Sequence, residues 1–272
     1  WKVSEIRMGK IIAITNQKGG VGKTTTAINL SACVAARGKR TLLVDLDPQG
    51  NATSGLGKSA KGRSSVYDVL TDDAEANAAV METAVRGLSL LPSDIALAGA
   101  EIELVAMDER ETRMRDALAP LRDTYEYIFI DCPPSLGLLT LNALTAADSV
   151  IIPIQCEYYA LEGVGQLVNT LNLVRKRLNP SLDVEGVVLT MLDGRTNLGI
   201  QVVGEVKRHF KGKVFGAIVP RNVRLSEAPS HGKPIHLYDA KCPGAEAYFA
   251  LADELMERNR LCLRLLRTHW SF

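Results

Sequence analysis

The feature that most constrains this chain is an apolar run that ends in a glycine-rich turn. Lys10-Ile11-Ile12-Ala13-Ile14-Thr15 leads into Lys18-Gly19-Gly20-Val21-Gly22-Lys23-Thr24-Thr25, and Thr26-Ala27-Ile28-Asn29-Leu30 then reads as helix. Strand, glycine turn and helix are the setting in which this pattern becomes a phosphate cradle. Glycines let successive N–H groups point inward at a polyphosphate, and the helix start adds its positive end. Lys23 supplies an ammonium for the outer phosphates, and the Thr24 hydroxyl is placed for Mg²⁺. A plain glycine turn with a surface lysine leaves the flanking elements unexplained. The ordinary pattern has glycine where Gln17 stands, and Lys18 follows it. A second cation at the rim of a cradle adds to transition-state charge stabilisation.

Elsewhere, strand-like runs alternate with helix-length segments. Strands are expected near 10–15, 41–45, 88–91, 127–130, 150–154, 184–190 and 217–219. Helices are expected at 24–37, 98–119, 138–147, 162–178, 200–210 and 245–258. The strands are nearly continuous in Ile, Val and Leu, as when helices cover both faces of a parallel sheet. The expected fold is α/β, a single domain with a mostly parallel twisted sheet and helices on both faces. With 272 residues and no linker or repeat, one domain over 8–258 accounts for the chain, with residues 1–7 preceding Met8 and a basic, apolar tail over 259–272.

The longest apolar run, Val150-Ile151-Ile152-Pro153-Ile154, is too short to span a bilayer. There is no signal-peptide pattern. Five cysteines without CxxC spacing argue against a disulfide framework or zinc knuckle and for a reduced, cytoplasmic protein. The net charge of +1 hides an asymmetry: between Arg195 and Lys233 lie eight basic residues against Glu205 and Glu227. Such a segment suits a polyanion partner, or else solvated helix faces.

In parallel sheets ligands sit beyond the carboxyl ends of the strands, so chemistry belongs to the residues that follow them. Asp131 ends an apolar strand, where a Walker B aspartate holds Mg²⁺ or its water shell. Asp45 and Asp47 bracket Leu46 and project to the same side of an extended segment. Asp47, further out, suits orienting an attacking water; Asp45 suits a structural role. Cys132 reads as a small buried residue.

Taken together, Lys18 to Thr25, Leu43-Val44-Asp45-Leu46-Asp47-Pro48-Gln49-Gly50-Asn51, Ile130-Asp131-Cys132-Pro133-Pro134-Ser135 and Pro220-Arg221-Asn222-Val223-Arg224 closely resemble the ParA/MinD family of deviant Walker A ATPases. The resemblance is greatest to its small chromosome-partitioning members. It implies an ATP- and Mg²⁺-dependent ATPase, slow and stimulated by a partner. Lys18 would be the signature lysine, reaching across a homodimer to the other subunit's nucleotide. Lys23, Thr24, Thr25 and the backbone of Gly19, Gly20, Val21 and Gly22 would bind phosphates, with Thr24 and Asp131 on the metal. Asp47 would support hydrolysis, and Pro220 and Asn222 would contact adenine. Gly19 would lie at the tight subunit contact. The same resemblance implies non-specific double-stranded DNA binding by the ATP-bound dimer, through Arg195 and Arg224, with Lys207 and Lys233 as weaker candidates. It also implies a ParB-type partition protein as partner and a cytoplasmic, nucleoid-associated location. The alternatives are a MinD-like membrane-associated ATPase for division-site placement, which only the tail supports, and a metabolic enzyme on the same core, such as an iron–sulfur reductase or amidoligase.

Overall fold

The computed structural model describes residues 8–157, 160–192 and 197–268. Eight strands form one sheet: β1 Lys10–Ile14, β2 Thr41–Asp45, β3 Met81–Glu82, β4 Leu88–Leu91, β5 Tyr127–Asp131, β6 Ser149–Gln155, β7 Asp183–Leu192 and β8 Val214–Pro220. Their order is β3-β4-β2-β5-β1-β6-β7-β8. All pairings are parallel except β3 with β4. The strand-by-strand alternation of sequence explains the two covered faces. Ile11, Ala13, Ile128 and Ile130 turn to one side and Ile12, Ile14 and Phe129 to the other.

The helices before β8 are α1 Lys23–Ala36, α2 Asn51–Gly55, α3 Val66–Thr71, α4 Ala76–Ala79, α5 Leu97–Glu103, α6 Arg113–Leu118, α7 Leu138–Ala146, α8 Ala160–Arg177 and α9 Asn197–His209. After β8 come α10 Val223–Glu227, α11 Ile235–Tyr238 and α12 Pro243–Thr268. Leucines of α5, α6, α7 and α8 fill one core; α1 and α12 fill the other, where Tyr248 is buried against α1 and donates or accepts a bond with Thr26 at 3.2 Å.

Two expectations need correction. The single helix expected over 98–119 is broken into α5 and α6. Met107 is extended and Glu109 has a φ of 51°, which no helix tolerates. Asn142 of α7 stitches the break: its Nδ2 donates to Arg110 O at 2.6 Å and its Oδ1 accepts from Met114 N–H at 3.1 Å. The strand β3 was also not expected, since two residues carry no periodicity. The last helix passes residue 259 without interruption.

β8 is an edge strand whose outward N–H groups would otherwise be open to another chain. Glu254 of α12 covers it, its carboxylate accepting from Gly216 N–H at 2.9 Å and Ala217 N–H at 3.1 Å, with Arg258 alongside at 2.6 Å. Burial pushes this carboxyl up, but the bonds it accepts hold it below its ordinary value. Its contribution to stability is therefore complete above the unfolded carboxylate value of about 4.3 and is lost as pH falls through the lower folded value. Glu254→Ala is expected to cost about 1–2 kcal/mol at neutral pH, read in urea unfolding, and the difference from the parent should vanish in acid.

Candidate functional site

Parallel register lines up the carboxyl ends of three central strands. Asp131 on β5 lies opposite Ile14 on β1 and opposite Asp45 on β2. The segments that leave these strands therefore share one rim, as ligand sites in open α/β sheets do.

The 18–25 loop is pinned to that rim from below. Thr190 of β7 donates its hydroxyl to Val21 O at 2.9 Å. Asn16 donates to Pro153 O of β6 at 2.8 Å and accepts from Lys18 N–H at 3.1 Å. Gly20 and Gly22 have φ of 75° and 89°, conformations that a side chain would strain. Gly22 opens directly into α1, so the unpaired first N–H groups of that helix face the loop. Lys23 is buried and crosses the turn to donate to Lys18 O at 3.2 Å. Burial lowers its pKa, while Asp131 and Asp47 favour the charged form.

The two inner aspartates differ in how their charge is met. Asp45 Oδ2 accepts from both the N–H and the hydroxyl of Thr53 at 2.7 Å, and Oδ1 accepts from Asp47 N–H at 3.3 Å. Burial still raises its pKa to about 6. Asp45 thus ties β2 to α2, the structural role expected of it. Asp131 is fully buried, and neither oxygen has a hydrogen-bond partner of ordinary geometry. Burial, then Asp45, push its pKa well up; the Thr24 hydroxyl and the Lys23 ammonium offset this only in part. An orphaned buried carboxylate beside a threonine hydroxyl at a helix start fits Mg²⁺, which takes one or two protein oxygens and the rest from water and phosphate. Asp47 is also buried; its Oδ1 accepts from Gln49 N–H at 3.0 Å, and Ser93 fixes its carbonyl at 2.8 Å.

Lys18 and Gly19 face outward. A Cβ placed on Gly19 would meet nothing within 4 Å. The Lys18 side chain is 34% exposed, its ammonium 3.8 Å from Glu157, which also lies 3.8 Å from Arg221. Pro220 closes β8 on the same rim, and Asn222 caps α10, accepting from Arg224 N–H at 2.8 Å. Arg224 is exposed but paired with Glu227 at 2.9 Å and Asp239 at 3.5 Å. Lys233, exposed, belongs to this end of the sheet; Lys207, near the end of α9, belongs to the opposite end. Arg195 lies outside the described residues. Thr190, Thr53, Ser93 and Glu157 are supports that sequence reading missed. Thr190 and Glu157 follow the rule that residues at strand carboxyl ends build the site, but their partners are visible only in three dimensions.

Comparison with known proteins agrees with this geometry. The AAA domain family matches residues 9–184. The sporulation initiation inhibitor protein Soj of Bacillus subtilis is 64% identical over 249 residues, covering 91% of this chain and 98% of its own length. The chromosome partitioning protein ParA of Myxococcus xanthus is 60% identical, covering 93% of this chain and 89% of its own. Among solved structures, cobyrinic acid a,c-diamide synthase from Mycobacterium smegmatis with bound ADP and magnesium superposes with a TM-score of 0.82 at 40% identity, covering 93% of this chain and 96% of that one.

The unmet charge of Asp131 leads to a test. Asp131→Asn replaces a carboxyl whose charged form burial disfavours with a neutral group of the same shape, so without ligand the variant is expected to melt no lower than the parent. Magnesium and ATP at a hundred times the dissociation constant should stabilise the parent by about 2.7 kcal/mol and the variant by far less. Thermal unfolding with and without the ligands reads both; a variant that melts lower alone yet gains the full stabilisation would contradict the assignment.

Proposed function

The chain belongs to the ParA/MinD family of ATPases, and from that premise we propose that it is an ATP-dependent partitioning ATPase whose nucleotide-bound homodimer holds DNA without sequence preference. The observation that carries this reading is the opposed disposition of the two loop lysines. Lys23 is buried and turned into its own loop, whereas Lys18 stands at the open rim beside a glycine with nothing in front of it. One lysine serves the phosphates of its own subunit; the other is free to serve a second copy.

In the proposed mechanism the N–H groups of residues 19–25 bind the polyphosphate, and Lys23 exchanges its carbonyl partner for the outer phosphates. Thr24 and Asp131 would hold Mg²⁺, which supplies positive charge to the phosphate oxygens. Pro220 and Asn222 contact the base; the Asn222 carbonyl is committed to its cap, so its amide donor is the group left for adenine. Asp47 orients the attacking water, held in place through Ser93 and Gln49. Lys18 leaves Glu157 and stabilises the transferring phosphoryl charge in the partner. Pairing doubles the number of DNA phosphates met by Arg195, Arg224 and Lys233, and with it the counterions released. A ParB-type protein then stimulates hydrolysis and frees the subunits. The partitioning names carried by relatives at 64% and 60% identity support this cargo over the diamide synthase named at 40%. Three of the five cysteines are held as thiols by burial, which pushes Cys33 up to about 12 and Cys156 up to about 11 and raises Cys132 further, a poor setting for a nucleophile.

DNA binding compared across ATP, ADP and no nucleotide tests the reading, with anionic liposomes as the comparison for a MinD-like role. Duplex binding with ATP alone is expected; equal binding without nucleotide, or binding to liposomes only, refutes it. Lys18→Ala should abolish pairing and DNA binding together. Gly19→Val should leave melting and nucleotide affinity within about twofold of the parent, because the subunit has room for the side chain, yet prevent pairing by light scattering.

A further inference from the structure

The sheet divides the basic segment that reads as one run in the sequence. Helices α8 and α9 return antiparallel to the strands, so their last turns lie beside the first residues of β7 and β8. That rim is opposite the phosphate loop, and the seven residues of β8 separate the two by about 23 Å. Arg175, Lys176 and Arg177 close α8, and Lys207 and Arg208 close α9, with Lys211 and Lys213 in the turn that follows. Asp183 joins the two helix ends, receiving Arg175 at 3.3 Å and Lys213 at 2.8 Å. Glu205 pairs with Arg208. Lys176, Arg177, Lys207 and Lys211 are exposed, and no ion pair among the described residues neutralises them.

Cations at helix ends complement the helix dipole, and one per helix would be unremarkable on that ground. Two helices brought together with four unmatched charges exceed that need. Charge without an apolar border suits a phosphate backbone, which binds through counterion release alone. A membrane surface calls for insertion of apolar side chains; among the described residues of the two helices the exposed large hydrophobics are Leu173 on α8 and Ile200, the latter in the first turn of α9 and away from this end.

We propose that Lys176, Arg177, Lys207 and Lys211 form a second binding surface for duplex phosphates, at the end of the subunit opposite the nucleotide. This rests on the homodimer reading above. Two copies joined through their phosphate-loop rims carry these surfaces at their outer ends, so one dimer holds two separate DNA segments.

The test uses the full chain with magnesium and a non-hydrolysable ATP analogue. A duplex on beads is incubated with a free labelled duplex of unrelated sequence, and transfer of label to the beads measures bridging. The parent should bridge. K176E/R177E/K211E should lose bridging about tenfold or more, while nucleotide-dependent binding to a single short duplex falls less than about threefold. Equal melting temperatures establish that the variant is folded, and the corresponding alanine variant serves if it is not. Bridging that survives in a folded variant overturns the proposal. So does a parent that binds single duplexes with nucleotide but never bridges, or a variant that loses both activities together. A parent that binds no duplex in any nucleotide state fails at the earlier reading instead.

Discussion

A buried carboxylate without a partner is the constraint on which the site depends. Parallel pairing of β5 between β1 and β2 leaves Asp131 fully enclosed, opposite a second carboxylate, Asp45. The fold answers the charge of Asp45 with three hydrogen bonds and meets that of Asp131 only in part, through the Thr24 hydroxyl and the Lys23 ammonium. An uncompensated charge at such a place is costly. It is retained beside Thr24 and Lys23, where a metal and a polyphosphate would supply what the protein withholds.

The outward half of the site has the opposite character. Lys18, Glu157 and Arg221 meet at long range in a partly exposed position, and pairs of that kind contribute about 1 kcal/mol or less. Such contacts hold Lys18 over its own rim without trapping it. A ligand shifts a conformational equilibrium by no more than its difference in affinity for the two states, so a weak restraint on Lys18 is what the proposed recruitment by a second subunit's nucleotide requires. The loop is thus tied down from below and weakly restrained above.

The conformation of the loop was legible in the sequence because it is local: Gly20 and Gly22 take positive φ, and Lys23 turns back on its own loop. Asp131 was legible through its place at the end of an apolar strand. What sequence did not reveal depends on distant residues. Thr190 supports Val21 from 169 residues away, and Ser93 reaches Asp47 across 46. The break between α5 and α6 is bridged by Asn142, a partner 28 and 32 residues away that no helical period over 98–119 announces. Lys207 and Arg224 lie close in sequence, yet β8 carries them to opposite ends of the sheet.

In the proposed function nucleotide and DNA are linked through the pairing of subunits, and linkage is reciprocal: whatever factor one ligand gains from the other must be returned. The most direct measurement is therefore the dissociation constant of a fluorescent, non-hydrolysable ATP analogue with magnesium, in the absence and in the presence of saturating duplex DNA. Tighter nucleotide binding with DNA, abolished by Lys18→Ala, is the expected result. A nucleotide affinity indifferent to DNA would contradict the coupling at its root.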